Sequence, residues 1–156
     1  RTPRIGEKGV KRSIVVDGDG GPLGVVIAGA NVHDTKLLAA TLESMVLFPP
    51  PPLPGESQHL CLDKGYDNPT GHEAVSEYGY TDHIRRIGEE KFDENQEKRH
   101  PARRWVVERT LAWLSKYRAI QTRYEVKPEN YAGLLKFACV LIWTRIWHRI
   151  KLDTTD

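Results

Sequence analysis

His59-Leu60-Cys61-Leu62-Asp63-Lys64-Gly65-Tyr66-Asp67 is the stretch from which the rest of the chain is best interpreted. Three apolar residues run directly into an acid, and a glycine follows two positions later. This pattern predicts a buried strand over 60–63 that ends in a carboxylate, with a turn behind it. Such a carboxylate more often serves chemistry than packing, although Asp63 can also accept the backbone N–H of Gly65 or Tyr66 as a turn residue.

On either side of this strand the sequence predicts further strands and helices. Strands are predicted at 13–16, 23–28 and 80–87, and helices at 35–47, 68–78, 101–117 and 128–152. The turn-rich residues 17–22 join the first two strands into a hairpin, whose apolar character predicts burial on both faces. The order of elements predicts an α/β domain with a mixed sheet flanked by helices.

We expect residues 1–156 to form a single, partial domain with two irregular segments. Residues 48–57 are rich in proline, which excludes helix and central strand and predicts a stiff surface connector. Residues 88–100 are highly charged, with Phe92 as the one apolar residue, and predict an exposed loop. Asp34 or Thr35 is expected to cap the helix that begins there.

The charge is divided unevenly along the chain, although the net charge is only +2. Residues 63–97 carry four basic and ten acidic side chains, a net of −6, whereas residues 98–127 carry nine basic and two acidic ones, a net of +7. A basic block of this density favours a polyanionic partner such as nucleic acid. The alternative is that the two blocks face and neutralise each other.

The cysteines and apolar segments favour a cytoplasmic protein without membrane contact. Cys61 and Cys139 each lie in an apolar run and are predicted to be small buried side chains in a reducing compartment. The polar start of the chain predicts no signal peptide. The most apolar run, 134–143, contains Lys136 and is far shorter than the ~20 residues needed to span a bilayer.

Asp63 and Glu108, with Asp34 and Asp67 nearby, are the candidates for chemistry. Glu108 lies on a predicted helix, on the face of Trp105 and Ala112. A carboxylate on an apolar helix face is costly unless it is paired or binds a cation. The simpler interpretation is an ion pair with Arg104, four residues earlier on the helix.

Together, the two acids suit a divalent metal site. Mg²⁺ prefers oxygen ligands and is usually held by one or two carboxylates together with phosphate oxygens. Two such ions can activate an attacking oxygen and stabilise a leaving oxygen at a phosphodiester. Arg104, Arg109 and Lys116 on the same helix would then contact backbone phosphates.

Five motifs resemble the DDE transposases of bacterial insertion sequences, over roughly residues 6–146. The motifs are Lys8-Gly9-Val10-Lys11-Arg12, Val16-Asp17-Gly18, Gly29-Ala30-Asn31-Val32-His33-Asp34, Asp63-Lys64-Gly65-Tyr66-Asp67 and Arg104-Trp105-Val106-Val107-Glu108-Arg109-Thr110-Leu111-Ala112-Trp113-Leu114. The resemblance implies an RNase H-like fold that cuts and rejoins DNA with two Mg²⁺ or Mn²⁺ ions. It makes Asp63 the second acid of a catalytic triad and Glu108 the third, with Arg104 matching the arginine that accompanies the glutamate.

The sequence departs from the family pattern at several positions. The family's first aspartate lies on a strand just before the segment matched by 8–12, so we expect a fragment that lacks the first strand and is inactive alone. Asp17 matches the turn after the second strand of the family's fold, and it does not match the family's first aspartate. Pro101 and Ser115 stand where some relatives have a tyrosine and a lysine. Asp34 is expected to cap or to support the site, with a metal role as the additional possibility.

The resemblance also implies DNA partners, both transposon ends and target, and a homo-oligomer in the full-length protein at the bacterial nucleoid. Arg103 and Lys64 join the three basic helix residues named above as DNA-binding candidates. The alternative function is a DNA-binding or regulatory transposase remnant without catalysis. A related nuclease that cuts without rejoining differs from the transposase only in its products.

Overall fold

The computed structural model describes residues 9–84 and 104–153. The strands are β1 (Val10–Val16), β2 (Pro22–Gly29), β3 (His59–Leu62) and β4 (Thr81–Ile84), and the α-helices are α1 (Asp34–Glu43), α2 (Pro69–Glu77), α3 (Arg104–Ser115), α4 (Arg118–Gln121) and α5 (Pro128–Asp153). A short 3₁₀ helix, Lys64–Tyr66, follows β3. The chain is therefore a mixed α/β protein, as the order of elements predicts.

The predicted hairpin is confirmed, and each strand is longer than the apolar pattern indicates. β1 and β2 pair antiparallel from Val10 opposite Gly29 onward, with a register shift between Val15 and Val16. The Asp17 carboxylate closes the turn by accepting the backbone N–H of Gly21 at 2.7 Å. Because this carboxylate is a turn acceptor, the structure agrees with placing Asp17 in the turn after a strand.

β3 and β4 form a separate parallel pair, with α2 between them in the sequence. A parallel pair needs such a crossover because its two strands run in the same direction. The single mixed sheet that we expected is not found in the described residues, which contain two two-stranded sheets instead. A cavity lined by both β1 and β3 separates their facing edges, so the two sheets are not hydrogen-bonded to each other.

Helices cover both faces of the hairpin. Val15 packs in one core cluster with residues of α1 and α2, while Ile14 packs against a second cluster built by α3, α4 and α5. Successive side chains of a strand point to opposite faces, which is why neighbours in β1 serve different clusters. The predicted flanking helices are confirmed.

The longest helix, α5, buries one face, over nearly the range predicted for it. The buried residues of α5 recur every three or four positions: Tyr131, Leu135, Ala138, Cys139, Ile142 and Ile146. Burying a leucine or isoleucine fully stabilises a fold by about 1.5–3 kcal/mol. The packing of this face, rather than local preference, therefore holds α5 in place.

The end and the cap of α1 differ from the prediction. α1 ends at Glu43 instead of 47, because Val46 leaves the helix and donates its N–H to the Leu23 carbonyl at 3.0 Å. Its cap is His33, whose side chain accepts the Thr35 N–H, and not Asp34 or Thr35. The short helix α4 was not predicted. The rest of the fourth predicted strand, 85–87, and the charged loop 88–100 lie outside the described residues.

Residues 48–57 contain no helix or strand. Among the described residues, no helix is long and apolar enough to cross a membrane.

Candidate active site

A groove of about 540 Å³ lies between the hairpin and the β3–β4 pair. β1 contributes residues 12–16 and β3 contributes residues 59–62 to its walls. α1 and α3 supply the remaining sides. Three acids that the sequence singles out line this groove together: Asp34, Asp63 and Glu108.

Asp63 lies directly after β3, as predicted for a carboxylate at a strand end. Its side chain is exposed and its Oδ1 accepts the backbone N–H of Lys64 at 2.6 Å, which starts the 3₁₀ helix. The turn acceptor role weighed for Asp63 is therefore real, but its donor is Lys64 instead of Gly65 or Tyr66. The exposed Asp63 side chain lines the groove as well as closing this turn.

The residues after Asp63 are tied tightly to one another. The Asn68 side chain caps α2 by accepting the Gly71 N–H at 3.0 Å. A Cβ at Gly71 would overlap the Tyr66 carbonyl oxygen, so α2 starts in direct contact with the 3₁₀ helix. The 3₁₀ helix ends at Asp67, whose carboxylate lies 3.2 Å from the His72 ring.

Glu108 lines the groove from α3, on the face of Trp105 as expected, but that face is exposed and not buried. The buried positions of α3 are Val106, Thr110 and Leu114, spaced by four. Glu108 is exposed, and Trp105 on the same side is 55% exposed. The expectation that Glu108 lies on the apolar face was wrong, because the tryptophan covers an arginine at the surface rather than entering the core.

That arginine is Arg109, and its contacts hold α3 against the hairpin turn. Its guanidinium carbon lies 4.7 Å from the Trp105 ring centroid and 4.9 Å from that of Trp113. The same guanidinium donates to the Asp19 carbonyl at 2.7 Å. Arg109, proposed above as a DNA contact, is thus engaged within the protein.

Thr110 makes the second contact between α3 and the turn. Its hydroxyl is fully buried and donates to the Gly20 carbonyl at 2.8 Å. Gly20 has a φ of +90°, and a Cβ there would come within 3.0 Å of both Thr110 and Arg109. The turn and the helix therefore fit closely, which fixes where Glu108 enters the groove.

Asp34 is the third groove acid, and it is already paired. It is the first residue of α1 and its Oδ1 lies 3.0 Å from Lys11 Nζ. The two side chains are 56% and 30% exposed, so the pair contributes little to stability. Within the described residues, no group of three or more His, Cys, Asp or Glu side chains has the geometry of a metal cluster.

Of the remaining basic candidates, the structure describes two side chains. Lys64 follows Asp63 directly and Lys116 follows α3, and both are exposed. Arg103 lies outside the described residues, as does the side chain of Arg104 at the start of α3.

Tyr66 is a groove residue that the sequence analysis did not select. It lines the groove with the three acids, and its ring packs against the cluster that contains Val75. Burial, then the nearby charges of Asp34 and Asp63, raise the pKa of Tyr66 to about 12. Its position three residues after Asp63, in the predicted turn, could have indicated from the sequence that it lies near the site.

The cysteines also differ in their surroundings. Both thiols are free. Cys139 is buried as predicted, and burial raises its pKa to about 11. Cys61 is only half-buried and lines the groove, so the expectation of burial holds for one of the two.

Comparison with known proteins defines the class of this chain. Residues 2–143 match the family model described as a transposase DDE domain, and the chain belongs to that family. It is 30% identical over 158 residues to a putative transposase for insertion sequence element IS402 from Burkholderia cepacia. The alignment covers 92% of this chain and 65% of that relative. No solved structure matches the chain.

Proposed function

We propose that this chain is part of an insertion-sequence transposase and that its groove cuts DNA phosphodiester bonds with the help of a divalent metal. In the whole protein the cut 3′-hydroxyl end is then transferred into target DNA. The convergence of Asp63 and Glu108 on one groove carries the proposal, because β3 and α3 bring together two acids 45 positions apart in the sequence. Membership of the DDE transposase family supports the same reaction.

The groove side chains suit Mg²⁺ or Mn²⁺ in their chemistry. Asp63 and Glu108 supply exposed carboxylate oxygens from two separate elements. One or two protein carboxylates suffice for Mg²⁺ when phosphate oxygens and water complete its coordination. Asp34 is a weaker candidate ligand because Lys11 already pairs with it. Bound divalent ions would supply charge stabilisation at the scissile phosphate.

The chain's own residues would orient the phosphodiester. Asp63 is held by its bond from Lys64 N–H, and Glu108 is held through the contacts of α3 with the hairpin turn. Fixed carboxylates of this kind act without reorganisation at the moment of reaction. Lys64 and Lys116 are exposed cations that would contact the DNA backbone on either side of the groove.

The groove also supports an RNase H-like arrangement with one more strand. β1 and β3 are edge strands among the described residues, and both line the same cavity. Edge strands present backbone groups that pair readily with another strand. A strand in the groove would join the two sheets into one, and an aspartate on that strand would complete the triad of acids.

Divalent-dependent nicking of duplex DNA that contains an insertion-sequence end tests this proposal. We expect weak or no nicking by the 156-residue chain and clear nicking by a version extended by the additional strand. Equal activity of the two versions would contradict the triad. No activity in the extended version, or activity that survives Asp63→Ala, would contradict the enzyme itself.

The alternative, a DNA-binding remnant without catalysis, predicts that the chain does not need a metal. Isothermal titration with Mn²⁺ would then show no binding, and DNA affinity would be unchanged in EDTA. The proposed function predicts Mn²⁺ binding that depends on Asp63 and Glu108.

A further inference from the structure

Tyr66 has a fixed position in the groove and no part in the reaction as set out above. Its backbone is bonded on both sides, since its N–H donates to the Asp63 carbonyl at 2.9 Å and its carbonyl accepts the Asn68 N–H at 2.8 Å. Its carbonyl also contacts the start of α2, where only a glycine fits at position 71. Two hydrogen bonds and one close contact therefore fix the backbone of Tyr66, and with it the point from which the ring extends.

The ring and the hydroxyl of Tyr66 meet different surroundings. The ring packs against the apolar cluster of α1 and α2, which contains Leu38 and Val75. The hydroxyl makes no hydrogen bond to any of the residues 9–84 and 104–153, whereas the side chain lines the groove beside Asp63. A packed ring with an unused hydroxyl is a donor whose direction is set by the fold.

A tyrosine hydroxyl is an uncharged donor at neutral pH. It can donate to a phosphate oxygen without adding negative charge to a groove that carboxylates already line.

We propose that Tyr66 is a substrate-positioning residue, whose phenol donates a hydrogen bond to a non-bridging phosphate oxygen of DNA lying beside Asp63. This inference rests on the proposed function, because it needs DNA in the groove. It adds a neutral contact to a site whose other named groups are all charged. The partner class is a phosphodiester backbone, and the base sequence plays no part in the contact.

Tyr66→Phe and Tyr80→Phe form a matched pair that tests the proposal. Both tyrosines pack against the same apolar cluster. Of the two, Tyr66 lines the groove and Tyr80 does not. Each substitution removes one hydroxyl and keeps the ring, so packing is preserved in both variants.

The measurement is the affinity for a fluorescein-labelled 30-base-pair duplex by fluorescence anisotropy, in Mn²⁺ and across a salt series. We expect Tyr66→Phe to weaken binding roughly tenfold, as a hydrogen bond to a charged group is lost. Its salt slope should equal that of the unchanged protein, because no cation is removed. Tyr80→Phe should bind like the unchanged protein, and both variants should unfold at similar urea concentrations.

The outcomes separate this inference from the proposed function. Equal affinity of the two tyrosine variants, with DNA binding intact, overturns the role of Tyr66 alone. A changed salt slope in Tyr66→Phe also overturns it, because it would show a disturbed charged surface. Absence of DNA binding by the unchanged protein overturns the inference together with the proposed function.

Discussion

Asp63 and Glu108 reach one groove from segments that are fixed in different ways. Most hydrogen bonds of residues 63–72 join positions at most ten apart, from a side chain to a backbone group or to another side chain, although Asn68 also donates to the Thr35 hydroxyl. α3 is held by Arg109 and Thr110, which bond carbonyls 90 positions earlier in the chain. One acid therefore depends on local sequence and the other on the packing of distant segments.

This difference separates two ways to damage the site. A substitution within 63–72 should displace Asp63 and leave α3 in place. A substitution at the contact between α3 and the hairpin turn should displace Glu108 and leave the turn after β3 intact. Each of the following substitutions is chosen to break one segment and spare the other.

The largest effect is expected for Gly71→Ala, in the segment that carries Asp63. The added Cβ would overlap the Tyr66 carbonyl oxygen, so α2 or the 3₁₀ helix must move. We expect a loss of about 2–3 kcal/mol in the free energy of unfolding, measured in urea. The control is Gly133→Ala in α5, where a Cβ meets nothing within 4 Å.

That control should stabilise the protein by about 0.5–1 kcal/mol, because alanine restricts the unfolded chain and favours helix. If Gly71→Ala and Gly133→Ala have the same effect, the close packing of residues 63–72 is wrong.

A smaller loss is expected for Thr110→Val, at the contact between α3 and the hairpin turn. Valine keeps the shape but removes the buried hydroxyl, and the Gly20 carbonyl loses its partner. The expected cost is about 1–2 kcal/mol. Thr144→Val is the matched control, since its exposed hydroxyl bonds the Leu141 carbonyl within the same helix. A cost at Thr144 as large as that at Thr110 would contradict the long-range anchoring of α3.

These two substitutions also show what the sequence could and could not predict. The turn after β3 could be predicted from neighbouring residues, since Asn68, Pro69 and Gly79 mark the start and end of α2. The exposure of the α3 face that carries Glu108 could not be predicted in this way, because contacts with Asp19 and Gly20 decide it. No local pattern reports that Trp105 covers Arg109 instead of packing in the core.

The division into two sheets could not be predicted from local sequence patterns either. Each strand was recognisable from its apolar residues, but strand pairing depends on which segments lie side by side in the fold. The groove acids show the same limit. Asp63 was predictable at the end of its strand, whereas its common groove with Asp34 and Glu108 is a property of the tertiary structure.

The smallest effect is expected for His72→Gln, again in the segment that carries Asp63. His72 lies 3.2 Å from Asp67 and 3.1 Å from Asp82, and all three side chains are partly exposed to solvent. Partly exposed pairs of this kind contribute about 0–1 kcal/mol and weaken in salt. His148→Gln, at an exposed position of α5, is the control and should be neutral.

Urea unfolding of both histidine variants at low and high salt is the measurement. A loss at His72 that is independent of salt would show that the ring contributes by packing and not through the two carboxylates.

Asp63 and Glu108, though fixed separately, are proposed to act at one divalent metal site. A double-mutant cycle on Mn²⁺ affinity, measured by isothermal titration, tests this claim most directly. If both acids hold the same ions, Asp63→Asn and Glu108→Gln each weaken binding, and the double variant loses less than the sum of the two. Losses that add fully, or Mn²⁺ affinity that one of the substitutions leaves unchanged, would contradict the shared site.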